Sequence, residues 1–134
     1  MDCLFCKIIK KEIPASVVYE DDAVVVILDI KPVNPGHVLL IPKEHTVTMI
    51  EASAHALVGL VGALQKVVPA MLAATGTDAW NLGVNNGSSA GQLIAHTHWH
   101  LIPRQAGDGH EHWHGNSYAE GEMERLAEKI RSNI

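Results

Sequence analysis

The chain has 134 residues, 47% of them hydrophobic and 19% charged, with a formal net charge of −5. This is the make-up of one globular domain over residues 1–134, long enough to bury a core. It excludes a groove for long nucleic acid, which needs a basic stripe, and no uninterrupted apolar run reaches the roughly 18–20 residues of a membrane span.

The N-terminal stretch does not read as a secretory apolar region, and two cysteines make no disulfide framework, so a cytoplasmic location is expected. Cys3-x-x-Cys6 lies in an apolar stretch that suits a short helical turn. Val17 to Glu20 reads as a short strand, and Asp21-Asp22 as a turn. Ala23 to Leu28 is strongly β-branched, a strand expected to be buried on both faces. Asp29 stands at its polar end. Lys31 to Gly36 is a loop with two prolines and a glycine. His37 to Ile41 is a third strand, ended by Pro42.

Ser53 to about Ala74 is the main helix, because Leu57, Leu60, Val61, Leu64, Val68 and Met71 recur at helical spacing. Gly59, Gly62 and Pro69 work against it, and Pro69 is expected to kink or shorten it. Gly76 is the expected stop. His55, with no partner in view, reads as a surface histidine. Ala79 to Asn85 is a fourth strand and Thr97 to Pro103 a fifth, followed by a loop over 107–115. Ser117-Tyr-Ala-Glu120 reads as a capping box. Met123, Leu126, Ala127 and Ile130 then mark a C-terminal helix of about 14 residues. The expected class is α+β: an antiparallel sheet covered by a long central helix and a C-terminal helix.

The chemistry concentrates in Asn85 to Arg104. On a strand, His96, His98 and His100 point to one face, with Thr97, Trp99 and Leu101 on the other. A neutral imidazole is a nucleophile towards phosphorus when its other nitrogen is held. His98, in the middle, is the natural nucleophile, and His100 could donate to phosphate or leaving group. Asn85 and Gln92 offer amide donors, and Gly91 allows close backbone approach. The pattern also fits a three-histidine metal site or a polar strand face. A second trio, His110, His112 and His114, sits among glycines without apolar alternation and reads as solvent-facing loop. Trp113 within it could cover a pocket.

His96-Thr-His98-Trp-His100-Leu-Ile resembles the motif of the histidine triad (HIT) superfamily, with Thr97 a departure at an apolar position. Asn85…Gly87…Ala90-Gly91-Gln92 is similar to that family's phosphate loop. Gly36-His37-Val-Leu-Leu-Ile-Pro-Lys-x-His45, the N-terminal Cys3-Leu-Phe-Cys6, Glu12-Ile-Pro14 and Asp29-Ile-x-Pro32 also match, closest to the HINT-like and prokaryotic branch. The resemblance implies a five-stranded antiparallel sheet per subunit and a homodimer whose sheets join. It implies attack by His98 on the α-phosphate of a purine nucleotide conjugate, a nucleotidyl-histidine, then hydrolysis, with no catalytic metal. Asn85, Gly91, Gln92, His98 and His100 would contact phosphate. Leu4, Phe5, Ile8, Ile27, Leu28, Asp29 and Ile30 would line the nucleoside pocket, with Asp29 on the ribose. His37 matches a further histidine near the triad.

Relatives carry Ser or Thr after the Gly-Gln pair. Here Leu93 stands there, without a hydroxyl to assist the leaving group. In several prokaryotic relatives two cysteines, the histidine of Pro-Lys-x-His and the first triad histidine hold a structural zinc. Cys3, Cys6, His45 and His96 occupy those positions. The function implied is hydrolysis of purine nucleoside 5′-phosphoramidates or related conjugates. The alternatives are a dinucleoside polyphosphate hydrolase, a nucleotide-binding or scaffolding protein, and a zinc-storage protein built on both histidine trios.

Overall fold

A computed structural model describes residues 2–134. Its elements in chain order are α1 (Leu4–Ile9), β1 (Val17–Glu20), β2 (Val24–Leu28), β3 (Val38–Pro42), α2 (Ala54–Thr75), β4 (Ala79–Val84), β5 (Trp99–Arg104) and α3 (Glu122–Arg131). The five strands form one antiparallel sheet in the order β1-β2-β3-β5-β4. β1 is an edge strand and carries a register shift between Val17 and Tyr19. β4 is the other edge, paired with β5 in unbroken register from Ala79 to Val84.

Alternation along the central strands sends side chains to two separate cores. Val24, Val26, Val38, Leu40, Trp99 and Leu101 face α2, where Leu60, Ala63, Val67, Val68 and Met71 meet them. Val25, Ile27, Leu39 and Ile41 point to the opposite face, against Cys3 and Phe5. Both faces are covered, so β2 and β3 read as continuous apolar runs.

α2 starts at Ser53, whose Oγ accepts the Ala56 N–H at 3.1 Å, and stops at Gly76 in the left-handed region (φ 67°). It runs unbroken through Pro69, against the expected shortening. Pro69 lies on the exposed flank, as does Gln65, whose carbonyl loses its helical partner because Pro69 has no N–H. Val61 also turns out exposed, at the margin of the apolar stripe. By length and composition this 22-residue helix could cross a membrane, contrary to the reading of the runs alone. Here its buried stripe covers β2, β3 and β5.

The capping box does not form. Gly121 takes a left-handed conformation (φ 72°) and breaks the chain between Glu120 and the helix, so α3 has 10 residues rather than about 14. None of its side chains is buried, and Met123, Leu126 and Ile130 are exposed.

Candidate active site

The expected row of three histidines on one strand is not what the chain adopts. β5 begins at Trp99, so only His100 lies in it. His96 and His98 sit in the turn before the strand. The Thr97 N–H donates to Thr46 O at 2.7 Å, which diverts the chain from β3 and lets the three rings take separate jobs.

His98 is buried, and its Nδ1–H donates to the His96 carbonyl at 2.7 Å. A carbonyl only accepts, so the proton is on Nδ1 and Nε2 carries the free lone pair. The Phe5 ring stands edge-on to His98 at 5.0 Å and to His96 at 5.9 Å, closing the inner side.

His100 is set by a chain of hydrogen bonds. The Val33 N–H donates to His37 Nδ1 at 3.0 Å, leaving the His37 proton on Nε2. His37 Nε2–H donates to His100 Nδ1 at 2.9 Å. His100 must then hold its own proton on Nε2, as a donor. Burial pushes the His100 imidazole down to about 4, helped by the neighbouring His98 and His37 rings and opposed by Asp29. Burial also lowers His37, against the pull of Asp29. Asp29, His37 and His100 lie near enough to share a cation. The proton that Val33 forces onto His37 Nε2 makes the trio a donor chain instead.

Beside His98 and His100 opens a cavity of about 510 Å³. Its walls include all seven expected nucleoside residues: Leu4, Phe5, Ile8, Ile27, Leu28, Asp29 and Ile30. Ile13, Pro14, Leu39 and Ile94 also line it, and Ile94 had no sequence signal. Ile30 and Leu93 stand at its mouth, 94% and 92% exposed. Asp29 Oδ1 accepts the Lys31 N–H at 2.8 Å, and Oδ2 lies 3.7 Å from His37 Nε2.

The glycine-bearing loop forms a further part of the cavity wall. Gly91 has φ 89°, which disfavours a side chain, and Asn85 Nδ2 reaches its carbonyl at 3.5 Å. Asn85 and Gly91 line the cavity. Gln92 differs from expectation. Its Oε1 accepts the Gly87 N–H, and its Nε2 donates to Val47 O and Ile94 O. Its amide is committed to shaping the loop, and it does not line the cavity.

Behind the triad lies a second cluster. The structure brings Cys3, Cys6, His45 and His96 together, with one donor atom of each within 4.8 Å of the others. His96 is fully buried and donates its Nε2–H to Pro42 O at 2.8 Å, so its Nδ1 lone pair faces the cluster. That atom lies 3.5 Å from Cys3 Sγ, 3.7 Å from Cys6 Sγ and 3.0 Å from His45 Nδ1, with Cys6 Sγ 3.3 Å from His45 Nδ1. Tetrahedral zinc with Zn–S about 2.3 Å and Zn–N about 2.0 Å needs edges of about 3.3–3.8 Å. The two thiols and two imidazole nitrogens fit that ion in number and type, and the three sulfur–nitrogen edges of 3.3–3.7 Å match it, while the two imidazole nitrogens at 3.0 Å stand closer than a bound ion would hold them.

The second histidine trio stays outside the site. His110 Nε2–H donates to Val33 O at 3.1 Å, and His114 faces Glu111. His112 is exposed, and so is Trp113, which covers nothing. The loop is fastened by Asp108, which accepts from Arg104, Asn34 and the His110 N–H. The Arg104 guanidinium holds that carboxyl far below the usual range.

A family model described as HIT domain matches residues 10–107. The chain is 46% identical over 107 residues to adenylylsulfatase HINT3 of Arabidopsis thaliana, covering 80% of this chain and 54% of that one, so the match spans about half of the plant relative. It is 36% identical over 139 residues to adenosine 5′-monophosphoramidase hnt1 of Schizosaccharomyces pombe, covering 100% and 99%. A crystal structure of a zinc-bound histidine triad family protein from Mycobacterium smegmatis superposes with a TM-score of 0.78 at 31% identity, covering 100% of this chain and 99% of that one.

Proposed function

Since the chain belongs to the histidine triad family, we propose that it hydrolyses purine nucleoside 5′-phosphoramidates or closely related nucleoside monophosphate conjugates through a covalent nucleotidyl-histidine. The observation that carries this reading is the His98 tautomer: Nδ1–H tied to a carbonyl and a bare Nε2 at the cavity wall. Relatives named as an adenosine monophosphoramidase and an adenylylsulfatase support the same class of nucleotide bond.

The nucleoside lies between α1 and β2, with Asp29 on the ribose hydroxyls. Asn85 and the Gly91 backbone hold the phosphate, and Gln92 acts by shaping their loop. His98 Nε2 attacks the α-phosphorus. The bond to the leaving group breaks, and the departing amine keeps the electron pair and takes a proton from water at the open cavity mouth. His100, with Nε2–H as donor, stabilises the charge on phosphate. Water then attacks phosphorus and releases a proton to solvent, the P–N bond to His98 breaks with its electron pair returning to Nε2, and nucleoside monophosphate leaves. No step calls for a catalytic metal.

Cys3, Cys6, His45 and His96 are proposed to hold a structural zinc. When bound, the ion cross-links the N-terminus to the triad turn. A homodimer through β4 belongs to the same proposal, supported by an open edge strand whose Trp80 and Leu82 lie exposed.

The test is a product assay with adenosine and guanosine 5′-phosphoramidates, a nucleotide–lysine conjugate and diadenosine polyphosphates, for wild type and His98→Ala. Release of AMP or GMP by wild type only supports the reading. Preference for diadenosine polyphosphates would move it to the polyphosphate hydrolases. Binding without turnover would leave a nucleotide-binding protein.

A further inference from the structure

Cys3 and Cys6 bracket Phe5, and Phe5 touches the nucleophile. α1 has six residues, far below the roughly 12–15 that hold a helix on their own. Its backbone hydrogen bonds stay within residues 3–12. Among the described residues, the only polar side-chain links from residues 2–12 to the rest of the chain run from Cys3 and Cys6 to His45 and His96. Yet this helix supplies Leu4, Phe5 and Ile8 to the nucleoside cavity.

His96 joins the same cluster to the reacting atom by a second route. Its ring is held between Pro42 O and the Cys/His cluster. Its carbonyl, on the same residue, receives the His98 Nδ1–H. Any rotation of the His96 peptide therefore turns the His98 ring or breaks the bond that fixes its tautomer.

We infer that the cluster is a switch on nucleotide binding: zinc held by Cys3, Cys6, His45 and His96 assembles the α1 wall of the cavity and fixes His98 through the His96 carbonyl. Metal occupancy then sets nucleotide affinity as well as turnover. His96 and Phe5 are positioning residues, one acting through its main chain and the other through its ring. This inference rests on the nucleotide-hydrolase reading of the cavity.

Calorimetric titration of the full chain with AMP tests it, in three states: zinc-loaded, stripped with a chelator, and stripped then reloaded with zinc alone. The expected result is AMP affinity at least tenfold weaker in the stripped protein and restored on reloading, at a temperature where circular dichroism shows the stripped protein folded. Phe5→Leu, which keeps all four ligands, should lower kcat more than it raises KM. The His98 Nδ1–H signal, seen by NMR on ¹⁵N-histidine protein, should be sharp with zinc and lost by exchange without it. Equal AMP affinity and an unchanged His98 signal in folded, stripped protein would overturn the switch and leave the hydrolase reading standing. No AMP binding by zinc-loaded protein would overturn that reading instead.

Discussion

His37 Nε2 lies 2.9 Å from His100 Nδ1, and the Val33 amide on the far side of His37 decides which way the proton between them points. The second ring nitrogen of His100 is a donor because of a backbone N–H two hydrogen bonds away, with His37 between.

Replacing His37 by Phe removes that control while keeping the ring volume. We expect kcat to fall roughly ten- to a hundredfold with little change in KM, and His37→Gln, which keeps a donor, to recover part of it. Steady-state kinetics on adenosine phosphoramidate measures this. An unchanged kcat in the Phe variant would mean that His100 orients itself.

Burial holds His100 at about 4 against its ordinary 6.5. Below about pH 6.5 the unfolded chain takes up a proton that the folded chain refuses until about pH 4. Stability therefore falls as the pH drops through that window, by roughly 1.4 kcal/mol per pH unit for each such group. His37 and His96 are shifted in the same direction by burial. Urea unfolding at several pH values should show this slope, and His100→Gln should flatten it by about one proton. Identical slopes for the two proteins would remove His100 as a source.

Two glycines of α2 make opposite predictions. A Cβ on Gly59 would stand 2.8 Å from Ala23 Cβ and 3.3 Å from Val24 Cγ2, while at Gly62 nothing lies within 4 Å. Gly59→Ala should destabilise by about 1–3 kcal/mol through overpacking against β2. Gly62→Ala should stabilise by up to about 1 kcal/mol through helix propensity. Denaturant melts of the two variants check both signs.

Leu93 is 92% exposed at the cavity mouth, so Leu93→Ser should change stability by less than about 0.5 kcal/mol. A hydroxyl there could pass a proton to the leaving group. Turnover of substrates with strongly basic amine leaving groups should rise roughly tenfold, and substrates that need no such help should show little change. A uniform effect across leaving groups would count against proton delivery.

Leu82 stands exposed on the open edge strand β4. If the proposed homodimer forms through β4, wild type should sediment as a dimer and Leu82→Arg as a folded monomer in sedimentation velocity. A variant that stays dimeric would move the interface elsewhere.

Strand and helix positions were legible wherever periodicity carried them. The β-branched run of β2 and the stripe of α2 needed no tertiary knowledge, and Ser53 and Gly76 marked the helix ends by their chemistry. The resemblance picked out the cavity residues as a group. Hidden were the roles of backbone atoms. Thr46 O, Val33 N, Pro42 O and His96 O decide where the triad rings point, and a carbonyl or amide is the same in every residue. That is why an alternating pattern suggested a flat row of imidazoles, when His96 turns back to the cysteines. Gln92 misled for a related reason: an amide side chain in a glycine-bearing loop looks like a ligand, and here its three bonds tie the loop together. Gly121 made the C-terminal helix start late, because a capping-box pattern says nothing of a left-handed glycine just after it.

The two margins of the sheet are unequal: β1 is four residues long and bulged, and β4 is six residues long and regular. A bulged, short margin is a poor template for a further strand, whereas a regular one invites it. An isologous pairing uses the regular margin of both copies at once and leaves only blunted ones outward. Growth of such an assembly terminates after a single addition. In the proposed homodimer, the same irregularity that spoils the register of β1 would protect the chain from open-ended fibre formation.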